Sequence, residues 1–173
     1  MLYDNPTTTP LPTSAPALTP PPVHSAAPAA YVHPGKIAAT AGPESFTTVV
    51  ASGVVVCIWD PVRHVGGLAH FLLPDSSGAE PAPRYGDVAL RWLLDQLAAL
   101  GGRSYRASLH GGSPPPFEVA AGHLGERNVA AAVAFLALRG IRIVERDVGG
   151  LGTRMVTFTP STGTAEVQLF GER

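Results

Sequence analysis

Residues 47–74 read TTVVASGVVVCIWDPVRHVGGLAHFLLP and hold the most apolar run in the chain. Phe46 to Val50 is rich in β-branched residues and predicts a strand. Ala51-Ser52-Gly53 breaks it. Val54 to Trp59 is wholly apolar, the pattern of a strand covered on both faces. Asp60-Pro61 ends that strand. Gly66-Gly67 predicts a turn into Leu68 to Leu73, a second buried strand that carries a histidine, His70.

Upstream, Val32 to Ile37 reads as a short strand or turn entry, with Pro34 arguing for an edge. Asp75 to Arg84 is a polar surface loop. Gly86-Asp87 opens a helix in which Leu90, Leu93, Leu94 and Leu97 follow the spacing of one buried face. Asp87 is its expected N-cap and Gly101 its stop. Tyr105 to Leu109 predicts a strand, and Gly111 to Gly122 a Gly/Pro-rich loop. A second helix is expected from Glu126 to Arg139, with Val129, Val133 and Leu136 on its buried face. Ile141 to Val148 is a strand and Gly149-Gly150 a turn. Met155 to Thr159 and Ala165 to Phe170 form a hairpin around residues 160–163. Three strands, two helix–strand units and a hairpin predict an α/β domain, with a mixed sheet covered by helices on both faces.

Composition sets the bounds. The chain has 173 residues, enough for one domain, with 45% apolar and 14% charged residues. A net charge of -1 gives no reason to expect a nucleic-acid partner. The single cysteine, Cys57, rules out an internal disulfide and suits a reducing compartment. The N-terminus has neither a basic n-region nor an apolar h-region, and no apolar run reaches the roughly 20 residues that span a bilayer. A cytoplasmic protein without membrane insertion is expected. Residues 1–31 are dominated by Pro, Ala, Thr and Ser and predict a disordered tail. The folded domain is expected over residues 32–173. The remaining histidines (His24, His33, His64, His110, His123) lack metal-ligand spacing, so no metal is expected. The Gly-rich segments lack the strand–turn–helix context of a nucleotide loop, and no cofactor is expected.

Four segments in order resemble the CheD family of chemoreceptor glutamine deamidases. They are CIWDP followed by GGLAHFLLP, then RYGDVALRWLLDQL, then HGG…F…LGERN, and ERDVGGLGTR before the final strands. The resemblance runs from about residue 32 to residue 169. It implies an α/β/α sandwich and a thiol amidohydrolase that converts glutamine to glutamate on methyl-accepting chemoreceptors. It also implies chemoreceptor cytoplasmic helices as partners, and a CheC-like phosphatase as a further one. The family's catalytic set is a Cys in a Gly-Ser-Cys turn, a His in an Ala-His strand, and a Thr shortly before the turn. His70 in Ala69-His70-Phe71 matches the histidine. Thr47, six residues before the nucleophile position, matches the threonine, with Thr48 its neighbour. The turn stands here as Ala51-Ser52-Gly53: Ser52 is kept, and Gly53 replaces the nucleophilic cysteine. Gly111, Gly112, Gly150 and Arg154 match family positions and read either as turn geometry or as one wall of a substrate cleft.

Amide hydrolysis at neutral pH calls for a strong nucleophile and a base, which a thiolate paired with imidazole supplies. Backbone N–H groups at a tight Gly/Ser turn could bind the oxyanion. Gly53 offers only the latter. Cys57 lies four residues along the strand, about 13 Å away, and reads as a buried apolar residue. Ser52 is adjacent, but its hydroxyl needs stronger activation. Two readings follow. One is a deamidase in which another group attacks or turnover is slow. The other is a non-catalytic CheD-fold module that binds chemoreceptors or a CheC-like phosphatase.

Overall fold

Val54–Asp60 forms a strand in which all seven residues are buried, and the architecture follows from that burial. Side chains alternate along a strand, so a strand buried on both faces needs two separate cores. Val54, Val56 and Ile58 enter one, with Leu90, Leu93 and Leu97 from one helix and Ala132 and Leu136 from the other. Val55, Cys57 and Trp59 enter the second, with Val50, Val156 and Phe158.

The computed structural model describes residues 28–114 and 123–171. In chain order the elements are β1 (Ala30–Tyr31), β2 (Lys36–Thr40), β3 (Phe46–Val50), β4 (Val54–Asp60), β5 (Val65–Phe71), α1 (Gly86–Ala99), β6 (Arg106–Gly111), α2 (Leu124–Leu138), β7 (Arg142–Val148), β8 (Thr153–Thr159) and β9 (Thr164–Phe170). One sheet runs β2-β5-β4-β6-β7 and the other β1-β3-β8-β9. Both are mixed, since β6–β7 and β1–β3 are parallel and the other pairs antiparallel.

The α/β class with mixed sheets agrees with the sequence, but the layer order differs from an α/β/α sandwich. Both helices share one core and so cover one face of the five-stranded sheet, while the four-stranded sheet covers the other. The apolar run predicts cover on both faces without distinguishing a helix from a sheet. The expected tail is also shorter at its inner end: Ala30 and Tyr31 pair with Phe46 and Thr47, ahead of Val32. Residues 1–27 of that tail, and residues 115–122 of the Gly/Pro-rich loop, lie outside the described residues.

Three local expectations change for physical reasons. Gly66 and Gly67 are inside β5 rather than in a turn; the turn is at residues 61–64. A Cβ on Gly66 would stand 2.9 Å from the Cβ atoms of Trp59 and Pro160, and one on Gly67 would strike the Ala38 carbonyl and Leu93. These glycines permit close packing on both faces of the strand. Asp87 does not cap α1, whose N-cap residue is Tyr85. Its carboxylate instead accepts from the N–H and hydroxyl of Ser76, tying down the 75–84 loop. On α2 the fully buried stripe is Gly125, Asn128, Ala132 and Leu136, with Val129 and Val133 only half-buried beside it.

Candidate functional site

The connection from β3 to β4, residues 51–53, lies at one end of the gap between the two sheets. β3 alternates buried and less buried residues, so Phe46, Thr48 and Val50 face the gap while Thr47 and Val49 face outward. Across the gap, β5 places His70 opposite Val55 of β4. Thr48 and His70 therefore meet: Oγ1 of Thr48 is 2.9 Å from Nδ1 of His70, and both residues are buried. Thr47 does not reach the histidine. Its hydroxyl donates to the Val156 carbonyl at 3.2 Å and lies 3.1 Å from Oγ1 of Thr157. The threonine beside His70 is Thr48, one residue after the sequence-based choice.

Gly53 faces the other ring nitrogen. A Cβ built on it would stand 3.1 Å from Nε2 of His70, 2.8 Å from the Phe71 carbonyl oxygen and 3.3 Å from Cδ2 of Leu72. Any side chain at position 53 would touch Nε2, and glycine presents none. Burial pushes the His70 imidazole down to about 4, so at neutral pH the ring is uncharged. The tautomer with its proton on Nδ1 donates to Thr48 and leaves Nε2 as a proton acceptor aimed at residue 53. The arrangement is an uncharged imidazole, held at Nδ1 by the Thr48 hydroxyl, with no side chain from residue 53 beside Nε2.

The turn itself is held through its carbonyls. Ala51 O accepts from Ser113 N at 2.9 Å, and Gly53 O from Gly112 N at 2.7 Å. Ser52 O accepts from the side-chain amide of Asn128 at 3.0 Å. Ser52 is half-buried. Gly111 and Gly112 have φ of +105° and +69°, a left-handed geometry that favours glycine. They pass directly behind the turn, and a Cβ on Gly111 would stand 2.5 Å from Gly53 O.

Gly150 and Arg154 are not in the His70 cluster. They line an adjoining cavity of about 470 Å³ together with Asp147, Gly149 and Leu151. Arg154 is buried at 4% exposure, donating to Ser113 Oγ at 2.9 Å, Asp147 Oδ1 at 3.0 Å and Gly149 O at 2.7 Å. It couples the 149–152 segment to the turn through Ser113. The cavity wall is thus one hydrogen-bonded layer away from Gly53.

Cys57 is on the same inter-sheet face as Val55 but one pair further along the strand, opposite Leu68 and Ser108. It is fully buried, and burial pushes its thiol far above the usual range. Sequence reasoning missed two buried polar residues, Asn128 and His110. His110 is the counterpart of His70 on the other side of Val55. Its Nε2 is 3.0 Å from Ser108 Oγ, and burial lowers it to about 4. For Asn128 there was a signal: a polar residue at the spacing of the small residues Gly125 and Ala132, on the face that packs closest.

A family model for CheD chemotactic sensory transduction matches residues 72–169. The chain is 39% identical over 142 residues to a probable chemoreceptor glutamine deamidase, CheD 1, of Anaeromyxobacter dehalogenans, covering 80% of this chain and 82% of the relative. It is 37% identical over 149 residues to the probable chemoreceptor glutamine deamidase CheD of Vibrio vulnificus strain YJ016, covering 78% and 68%. Among the described residues no helix is long and apolar enough to cross a membrane.

Proposed function

The chain belongs to the CheD family of chemotaxis proteins, and from that premise we propose that it docks on the glutamine-bearing cytoplasmic helices of methyl-accepting chemoreceptors without deamidating them at a family-like rate. One observation carries the reading: the Cβ position of Gly53 is 3.1 Å from Nε2 of a histidine whose Nδ1 is held by Thr48. In thiol-dependent deamidation, sulfur attacks the side-chain carbonyl carbon while the imidazole takes the thiol proton. The tetrahedral intermediate collapses to a thioester as that proton leaves with ammonia. Water, activated by the same imidazole, then releases glutamate and regenerates the thiol. Here Thr48 orients, His70 is the base, and residue 53 is the nucleophile position left without its sulfur.

Cys57 does not fill the role, because its thiol is buried in the inter-sheet core and its ionisation is suppressed. Ser52, Gly111 and Gly112 fix the turn that faces the substrate amide. Gly150 and Arg154 belong to the neighbouring wall. A cytoplasmic location and a CheC-like phosphatase as second partner belong to the same proposal, since binding of either protein needs only the surface around the cleft.

The test is mass spectrometry of a chemoreceptor cytoplasmic fragment after incubation with the unaltered chain or with Gly53→Cys. Conversion of Gln to Glu is expected with the variant alone, while both bind the fragment. Removing a catalytic nucleophile typically costs on the order of 10⁴–10⁶ in rate. Equal conversion by the two proteins would show that another group attacks.

A further inference from the structure

Among the described residues Asn128 hydrogen-bonds to neither Gly53 nor His70, yet it bonds to the segment that carries each. It is fully buried on α2. Its side-chain nitrogen donates to Ser52 O at 3.0 Å and to Leu72 O at 3.0 Å. Ser52 directly precedes Gly53. Leu72 lies two residues beyond His70, just past the end of β5. The two carbonyls come from separate chain segments and converge on one nitrogen. Only a neutral group with two N–H bonds on one atom satisfies both without burying a charge, and the carboxamide is that group. The two acceptors also fix which end of the amide is nitrogen. Its Oδ1 has no hydrogen-bond partner among the described residues.

The backbone of α2 is brought close enough for this by two glycines. Gly125, one turn before Asn128, lies against Gly112, and a Cβ on Gly125 would collide with the Gly112 carbonyl. Gly112 in turn donates to Gly53 O. Leu72 is fixed from its other side, where its N–H donates to Arg84 O at 2.9 Å. Position 53 and the strand end after His70 are thus clamped from α2 by one amide.

The geometry points to Asn128 as a positioning residue that sets the separation between position 53 and the His70 imidazole. This rests on the reading of residue 53 as the nucleophile position. Its consequence is that a thiol placed at residue 53 owes its ionisation to Asn128, because a thiolate–imidazole pair depends on the distance between sulfur and Nε2.

The test uses full-length Gly53→Cys, measuring the pH dependence of alkylation, with the unaltered chain and its Cys57 as the blank. The same measurement is made on Gly53→Cys combined with Asn128→Asp, with Asn128→Ser, and with Asp60→Asn as a destabilising control remote from the turn. The Gly53→Cys thiol is expected to ionise well below the usual value of about 8.5. Both Asn128 variants are expected to raise its apparent pKa by about one unit or more, giving roughly tenfold slower alkylation at pH 6. The Asp60 control should leave it unchanged. A lowered thiol pKa that both Asn128 variants preserve would overturn the positioning role alone. An ordinary thiol pKa in Gly53→Cys itself would overturn the assignment of residue 53, and this inference with it. If neither Asn128 variant folds, or if Asp60→Asn shifts the thiol equally, Asn128 acts on stability and the inference falls.

Discussion

Oγ1 of Thr48 and Nδ1 of His70 stand 2.9 Å apart across the gap between the two sheets. One belongs to β3 and the other to β5, so the bond is also a contact between layers. Replacing Thr48 by Val keeps the shape and leaves Nδ1 without a partner in the core. Such an orphaned group typically costs about 1–3 kcal/mol. Thr47→Val removes a hydroxyl from the outward face and should cost less than about 1 kcal/mol. Urea unfolding of the two variants checks this, and equal losses would contradict the assignment of Thr48 as the inward threonine.

That one-residue distinction shows what the sequence could express. Thr47 and Thr48 are chemically identical, and the spacing to residue 53 does not choose between them. The choice is made by which face of β3 meets the other sheet, a tertiary fact. The strands within residues 46–73 were legible, the first from its β-branched residues and the next two from their apolar runs. The layer opposite the helices was not, since β8 and β9 supply it from the far end of the chain. The spacing of Asn128 from Gly125 and Ala132 competed with Val129 and Val133, which form an equally good apolar stripe one position away. The absence at Gly53 was legible at once, but its distance to Nε2 was not.

His70 and His110 together make stability depend on pH. Both are uncharged in the fold, lowered from 6.5 to about 4 by burial. An unfolded chain binds protons at these sites first, between 6.5 and 4, so the unfolded state gains on acidification. Their contribution is complete above 6.5 and is lost as pH falls toward 4. The expected loss between pH 6.5 and 5 is about 1–2 kcal/mol for each histidine. Urea midpoints at pH 7.5, 6.0 and 5.0 should fall accordingly, and His110→Gln should flatten the curve. A midpoint independent of pH in this range would show that the rings are solvated.

Asp60 makes a second, lower window. Burial alone would raise its carboxyl, but four backbone N–H groups, from Ser104, Arg103, Arg63 and Val62, hold it well below the usual range. Its stabilisation is present above the unfolded value of 3.8 and is lost as pH falls further. Asp60→Asn removes the charge and turns an NH₂ group toward two of those donors. A loss of about 2–3 kcal/mol is expected at pH 7, read as a lowered melting temperature. An unchanged melting temperature would mean that the β4–β5 turn and the start of β6 are held without it.

Residue 53 allows the effect of a side chain to be separated from the effect of a thiol. Gly53→Ala and Gly53→Cys both place a Cβ 2.8 Å from the Phe71 carbonyl oxygen, closer than such atoms normally approach. The backbone of β5 must yield by a few tenths of an ångström. This strain typically costs about 1–3 kcal/mol, against a gain of about 0.4–1 kcal/mol from stiffening the unfolded chain. The two variants should therefore be destabilised alike, by about 1–2 kcal/mol net in urea. They should differ in chemistry, because only sulfur can attack an amide. Gly53→Cys is expected to convert receptor glutamine to glutamate, Gly53→Ala to leave it intact, and Gly53→Cys with His70→Ala to fall back to the level of Gly53→Ala. Activity in Gly53→Ala would remove residue 53 from the reaction. Activity in the double variant would leave the nucleophile position correct and the base elsewhere than His70.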